Sequence, residues 1–180
     1  MDKLEKVVEC LKNGGVVICP TDTVYGFLAD AQNKKAVENI YRLKNRPLAK
    51  PLSVFVKNIA MAESLGVIDE KQVRVLQKYW PGKYTFILKR KFDMRLFGLE
   101  KETIAMRIPK NTFLQKLLRK LNRPLVQTSV NISNEKPLES VKEIQKIFGK
   151  EKVLIVPGRA RKNAKPSKII DLTKNKIIRK

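Results

Sequence analysis

Histidine is absent from the 180 residues, and that absence removes much familiar chemistry. No Ser-His-Asp triad can be built, the commonest general base is missing, and no ordinary zinc site can form. Cysteine is nearly as scarce. Cys10 and Cys19 form no CxxC pair, and both lie in apolar patterns, which suits two reduced core thiols. No run approaches the roughly 18 apolar residues of a membrane span. The opening MDKLEKVVECLKNGG is amphipathic rather than signal-like, so a soluble, cytoplasmic protein is expected. Neither GxxxxGK[ST] nor GxGxxG occurs, so the familiar nucleotide folds gain no support. Acidic residues are also in deficit: 17 Asp+Glu stand against 39 Lys+Arg, a net charge of +22. Such a surplus draws polyanions to the surface, but it speaks to non-specific binding rather than to fold, and a lysine-rich solvated surface is the plainer alternative.

What is present reads as alternating helices and strands. Leu4, Val7, Val8 and Leu11 recur at helical spacing, and Asn13-Gly14-Gly15 closes that helix. Val16–Cys19 is a β-branched strand ended by Pro20 and followed by the polar turn Thr21-Asp22-Thr23. A second helix starts near Asn33 as its cap and ends by Asn45, before Arg46-Pro47. Leu52–Val56 is a strand; helices follow at Ile59–Leu65 and Glu70–Tyr79, the latter broken by Trp80-Pro81-Gly82. Strands at Tyr84–Lys89 and Thr103–Ile108 precede a helix capped by Asn111. Leu125–Ser129 is a strand, Val141–Phe148 a helix stopping at Gly149, and strands at Val153–Val156, Lys168–Leu172 and Lys176–Arg179 finish the chain. The interleaving predicts an α/β fold with one mixed sheet, residues 1–180 forming a single domain with no internal repeat or linker.

Several polar elements fall at strand or helix ends. Hydroxyls and a carboxylate directly after a core strand sit where open α/β sheets build a ligand crevice, although Thr-Asp-Thr also suits a self-bonded turn. Lys44, Arg46 and Lys50 arrive on a proline-broken, non-helical segment, where Lys44 and Arg46 could aim at one phosphate chain; a solvated loop is the bland reading. Ser129 and Asn131 share a strand-to-turn segment and could point the same way. Arg107 lies one residue before the end of a strand and just before Pro109. Asp22 is a lone carboxylate that could help hold Mg²⁺. Trp80 and Tyr84 could stack on a base, but flanking a Pro-Gly turn they suit packing.

Taken together, these segments resemble the YrdC/TsaC family, the threonylcarbamoyl-AMP synthases, in its short, single-domain form. The motifs are Pro20-Thr21-Asp22-Thr23-Val24-Tyr25-Gly26, Lys44-Asn45-Arg46-Pro47 with Lys50-Pro51-Leu52, and Trp80-Pro81-Gly82. They continue through Ala105-Met106-Arg107-Ile108-Pro109, Thr128-Ser129-Val130-Asn131-Ile132-Ser133 and Pro166-Ser167-Lys168-Ile169-Ile170-Asp171-Leu172. The resemblance implies an open, twisted mixed sheet flanked by helices around a large basic concave cavity. It implies that L-threonine, bicarbonate or CO₂, and ATP with Mg²⁺ give threonylcarbamoyl-adenylate and pyrophosphate, the group then passing through a threonylcarbamoyl-transferase complex to adenosine in tRNA. It places Lys44, Arg46, Lys50, Thr103, Ser129, Asn131 and Arg179 at ATP, with Lys44 and Arg46 catalytic through charge stabilisation. Thr21, Thr23, Arg107 and Ser167 fall at threonine, Arg107 pairing with its carboxylate. No protein metal ligand is assigned, Mg²⁺ arriving on the ATP phosphates. The chemistry needs positioning and cationic neutralisation rather than a protein nucleophile, which suits a histidine-free site.

The sequence departs from the family pattern in places. Phe55 replaces a frequent histidine, which implies a missing or replaced substrate hydrogen bond. Ser133-Asn134 replaces Ser-Gly, and Val156-Pro157-Gly158-Arg159 replaces a segment often acidic and glycine-rich. The alternative is a YciO-like RNA-binding protein of the same fold without synthase activity. Its motive is the charge, with Arg159, Arg161, Lys162, Lys165, Lys168, Lys174, Lys176, Arg179 and Lys180 in the last stretch. The complete Lys44/Arg46 and Ser129/Asn131 pairs favour the enzyme.

Overall fold

The computed structural model describes residues 2–158, 160 and 164–179. Arg159, Arg161, Lys162 and Lys180 of the basic stretch lie outside the described residues. The helices are α1 (Lys3–Lys12), α2 (Lys34–Leu43), α3 (Ile59–Leu65), α4 (Glu70–Tyr79), α5 (Thr112–Leu121) and α6 (Val141–Phe148). The strands are β1 (Val16–Pro20), β2 (Tyr25–Asp30), β3 (Ser53–Phe55), β4 (Gly66–Val67), β5 (Tyr84–Arg90), β6 (Thr103–Arg107), β7 (Leu125–Ser129), β8 (Val153–Ile155), β9 (Lys168–Asp171) and β10 (Lys176–Arg179).

Side-chain caps fix five of the six described helix starts. Asn33 accepts from the Ala36 amide, and Asn111 from the Leu114 amide. Asn58 caps α3 in the same way, while Asp69 and Ser140 complete capping boxes with Gln72 and Glu143. The strands join into one mixed sheet in the order β10-β9-β5-β6-β3-β7-β2-β1-β8, with β4 added beside β5. β1–β8, β3–β6 and β5–β9 are parallel, and the other pairs are antiparallel.

Two strands differ from the sequence expectation. Tyr25–Asp30 forms β2, all six residues of which are buried. A strand covered on both faces shows no polar alternation to read. Pro20 is the last residue of β1, still paired opposite Tyr25, and Thr21–Val24 is the turn of a β1–β2 hairpin. The two-residue β4 is also new, too short to leave a pattern.

The sheet has two differently covered faces. Val16, Ile18, Phe27, Val54, Phe86, Leu88, Ile104, Met106 and Val126 face a core with buried residues of α2, α3, α4 and α6. Val17, Cys19, Leu28, Phe55 and Leu125 face a second core closed by α1 and α5. No helix among the described residues is long and apolar enough to cross a membrane.

Candidate functional site

Strand register carries the second face beyond the reach of α1 and α5. Phe55 lies opposite both Arg107 and Leu125, Ser53 opposite Gln127, and Ile87 opposite Ala105. Paired residues share a face, and alternation then adds Thr103 and Ser129 to it. There, where helix cover ends, lies a cavity of about 400 Å³. Its lining includes Thr23, Arg46, Ser53, Glu100, Thr103, Arg107, Gln127, Ser129, Ser167 and Arg179, drawn from segments far apart in sequence.

Arg107 anchors one end. It is almost wholly buried, with Nε donating to the Gly82 carbonyl at 2.8 Å and Nη1 to Thr23 Oγ1 at 3.2 Å. Nη2 forms an ion pair with Asp22 Oδ1 at 2.6 Å, and the guanidinium stands 5.6 Å from the centre of the Phe55 ring. Burial lowers its pKa, opposed by Asp22. Phe55 itself is fully buried and does not line the cavity. Beside this group, Arg179 donates to the Ser167 carbonyl at 2.8 Å and to its hydroxyl at 3.2 Å, and Thr85 shares a 2.8 Å hydrogen bond with Ser167. Burial, then the charge of Arg107, lowers the Arg179 pKa.

Lys44 and Arg46 part company. α2 stops at Leu43, Lys44 serves as its helical C-cap, and Asn45 follows with φ 48°. Lys44 is thereby turned inward, 1% exposed. Its Nζ donates to the carbonyls of Ser129 at 2.6 Å and Asn131 at 3.0 Å, and to Asn131 Oδ1 at 2.8 Å. The spacing suggested two cations aimed together; instead one buttresses the turn and the other faces the cavity. Arg46 is half-buried, with Nε and Nη2 donating to the carbonyls of Lys50 and Pro51. Asn131 is buried beside Lys44 and absent from the lining, its amide nitrogen donating to the Ile132 and Glu135 carbonyls. Ser129 lines the cavity and donates to Asn131 Oδ1 at 2.7 Å. Asn134, where Ser-Gly is usual, takes φ 72°, a left-handed conformation that asparagine tolerates.

Burial and the neighbouring Arg46 push the Lys44 ammonium down to about 8 from the ordinary 10.5. Between those values the folded state binds fewer protons than the unfolded chain. Wild type should therefore gain stability relative to Lys44→Met as pH rises from about 8 to 10.5, by at most about 3.5 kcal/mol. Urea unfolding of both proteins across that range measures the difference, and a flat difference overturns the assignment.

The remaining expected residues divide in the same way. Thr23, Thr103, Ser167 and Arg179 line the cavity, whereas Lys50 is exposed outside it and contributes its carbonyl to Arg46 and Tyr41. Thr21 is buried behind Thr23. Asp22, read as a possible Mg²⁺ ligand, is held by Arg107 and the Lys110 amide. No group of three or more His, Cys, Asp or Glu that could hold a metal occurs among the described residues. Trp80 is buried against Phe86, its indole donating to the Tyr84 carbonyl. Ser53, Gln127 and Glu100 were not anticipated. Gln127 had a signal, as a polar residue between Leu125 and Ser129 on one face of a core strand; Glu100 had none.

Comparison with known proteins agrees with this fold. The family model Sua5/YciO/YrdC, described as telomere recombination, matches residues 9–180. Threonylcarbamoyl-AMP synthase of Photobacterium profundum is 32% identical over 185 residues, covering 99% of each chain. The crystal structure of Escherichia coli YciO superposes with a TM-score of 0.87 at 28% identity, covering 98% of this chain and 88% of that one. Sua5 of P. abyssi, complexed with L-threonine, superposes with a TM-score of 0.86 at 30% identity over 95% of this chain. The chain spans about half of that Sua5, 51%. With its motifs, its mixed sheet and nearly its whole length matched, this chain belongs to the Sua5/YciO/YrdC family.

Proposed function

We propose that this chain is a threonylcarbamoyl-AMP synthase, joining L-threonine, bicarbonate or CO₂, and ATP into threonylcarbamoyl-adenylate with release of pyrophosphate. The carrying observation is the single cavity that gathers Arg46, Arg107 and Arg179 with the hydroxyls of Thr23, Thr103, Ser129 and Ser167, in a chain aligned end to end with a relative named for that activity. In the reaction the threonine nitrogen bonds to the carbon of CO₂ and loses a proton to solvent. The resulting carbamate oxygen bonds to the α-phosphorus of ATP, and the bond to pyrophosphate breaks.

The expected residues divide the work of this scheme. Arg107, dry and backed by Phe55, holds the amino-acid carboxylate together with Ser167. Arg46 and Arg179 face the phosphates as fixed donors whose geometry needs no reorganisation. Thr103 sits on the nucleotide side. Lys44 and Asn131 act from beneath by holding Ser129, and Lys50 through its carbonyl's hold on Arg46. Mg²⁺ would be held through the ATP phosphates, whose charge it would help neutralise, which fits a lining whose one carboxylate among the described residues is Glu100. The product supplies a threonylcarbamoyl-transferase complex acting on tRNA in the cytoplasm, residues 1–180 serving as one catalytic domain.

Incubation with L-threonine, bicarbonate and Mg-ATP should release pyrophosphate at a rate that depends on threonine. Release that is absent, or unchanged by omitting threonine, overturns the reading. Retention of salt-sensitive tRNA binding in that event would favour the YciO-like alternative.

A further inference from the structure

The turn between β1 and β2 holds two threonines, only one of which reaches the cavity. Thr23 lines it, while Thr21 is buried behind and does not. Their hydrogen bonds have a fixed direction. Thr21 Oγ1 lies 2.7 Å from the Val24 carbonyl oxygen, which can only accept, so the single Thr21 hydroxyl proton goes there. The Thr23 amide donates to the same Thr21 oxygen at 3.0 Å. The 2.9 Å contact between the two hydroxyls must then be donated by Thr23. Thr23 Oγ1 also accepts from Arg107 Nη1, because a guanidinium has no lone pair to offer. One lone pair of Thr23 is left, and no proton.

We propose that Thr21 is a positioning residue for the amino-acid substrate: by taking the hydroxyl proton of Thr23 it makes Thr23 a pure hydrogen-bond acceptor toward the ligand. The proposal rests on the synthase reading and adds a division of labour within it. Arg107 beside Thr23 is donor-only and suits a carboxylate oxygen. The acceptor-only Thr23 suits an N–H or O–H of the same molecule, as an α-amino acid bearing a hydroxyl supplies. A free hydroxyl there would be indifferent, turning to donate or accept; a committed one disfavours a ligand that presents an oxygen lone pair at that point.

The test compares Thr21→Val, which keeps the branched shape without the hydroxyl, with Thr21→Ser, which keeps the hydroxyl without the methyl. That methyl packs toward Gly26, where an added Cβ would lie 3.2 Å from it. KM values for L-threonine and ATP are read from pyrophosphate release, and the affinity for L-threonine alone from calorimetry. Thr21→Val should weaken L-threonine about tenfold in both measurements, leave the ATP KM within about twofold, and be outdone by a near-wild-type Thr21→Ser. A packing role gives the reverse order, serine worse than valine, and overturns the proposal. So does valine indistinguishable from wild type, or equal losses for both substrates. Should Thr21→Val fail to fold, Thr21→Ala against Thr21→Ser isolates the hydroxyl. If wild type releases no pyrophosphate, the synthase reading fails by itself. Calorimetry with L-threonine then still judges the relay, and wild type that binds no L-threonine overturns it too.

Discussion

Replacing Arg107 with alanine should cost this protein about 3–5 kcal/mol of stability, as well as its activity. Asp22 is the reason. Its side chain is 9% exposed and paired with a guanidinium that is 1% exposed, and truncating the arginine leaves that carboxylate buried without its counter-charge. The Gly82 carbonyl and Thr23 hydroxyl lose their donors in the same step, and Phe55 loses the cation packed on its ring. For a chain of this length the loss corresponds to a fall of about 10 °C in Tm. Removing both charges separates structure from chemistry: Arg107→Met with Asp22→Leu should recover most of the stability, since no buried charge is stranded, yet bind L-threonine no better than the single variant. Thermal unfolding and calorimetry on the two variants and wild type check both halves. A single variant as stable as wild type would mean that Asp22 reaches water freely, contrary to the geometry.

That network was half visible in the sequence. Arg107 before Pro109 and the Thr-Asp-Thr turn each stood out, but nothing local joins residues 22 and 107. Their contact joins the β1–β2 turn to the end of β6 although β3 and β7 lie between those strands in the sheet, so only the assembled fold fixes it. Helices were more legible, because their caps sit within four residues of the groups they satisfy: Asn33 and Asn111 mark α2 and α5 with the bonds that sequence chemistry calls for. β2 was illegible for the opposite reason, since a strand buried on both faces has no period. Lys44 is the instructive case at the site. Spacing alone puts it beside Arg46. The end of α2 one residue earlier makes Lys44 a C-cap that turns inward to Ser129 and Asn131, while the left-handed Asn45 carries the chain on to Arg46 at the cavity.

Arg46→Ala should behave in the contrary manner to Arg107→Ala, with the chemistry lost and the fold kept. The half-buried Arg46 donates to two carbonyls of its own loop, at Lys50 and Pro51. Those carbonyls can turn to water when the side chain goes, and Tyr41 still donates to the Lys50 carbonyl at 3.0 Å. No buried charge is stranded, so the loss should stay within about 1 kcal/mol. Threonine-dependent pyrophosphate release should fall by about 10³-fold or more, because an arginine standing at the transferring phosphates, as the proposed function has Arg46, is worth that much. Arg46→Lys keeps the charge but gives up the fork that spans two oxygens, and should recover only a small part of the rate. The loss should appear in kcat and in the ATP KM, with L-threonine affinity measured alone unchanged, since Arg107 and Thr23 form a separate cluster in the lining. Unfolded Arg46→Ala protein, or full activity in it, would remove Arg46 from the phosphates. The donor role would then fall to Arg179, which the parallel alanine variant tests directly.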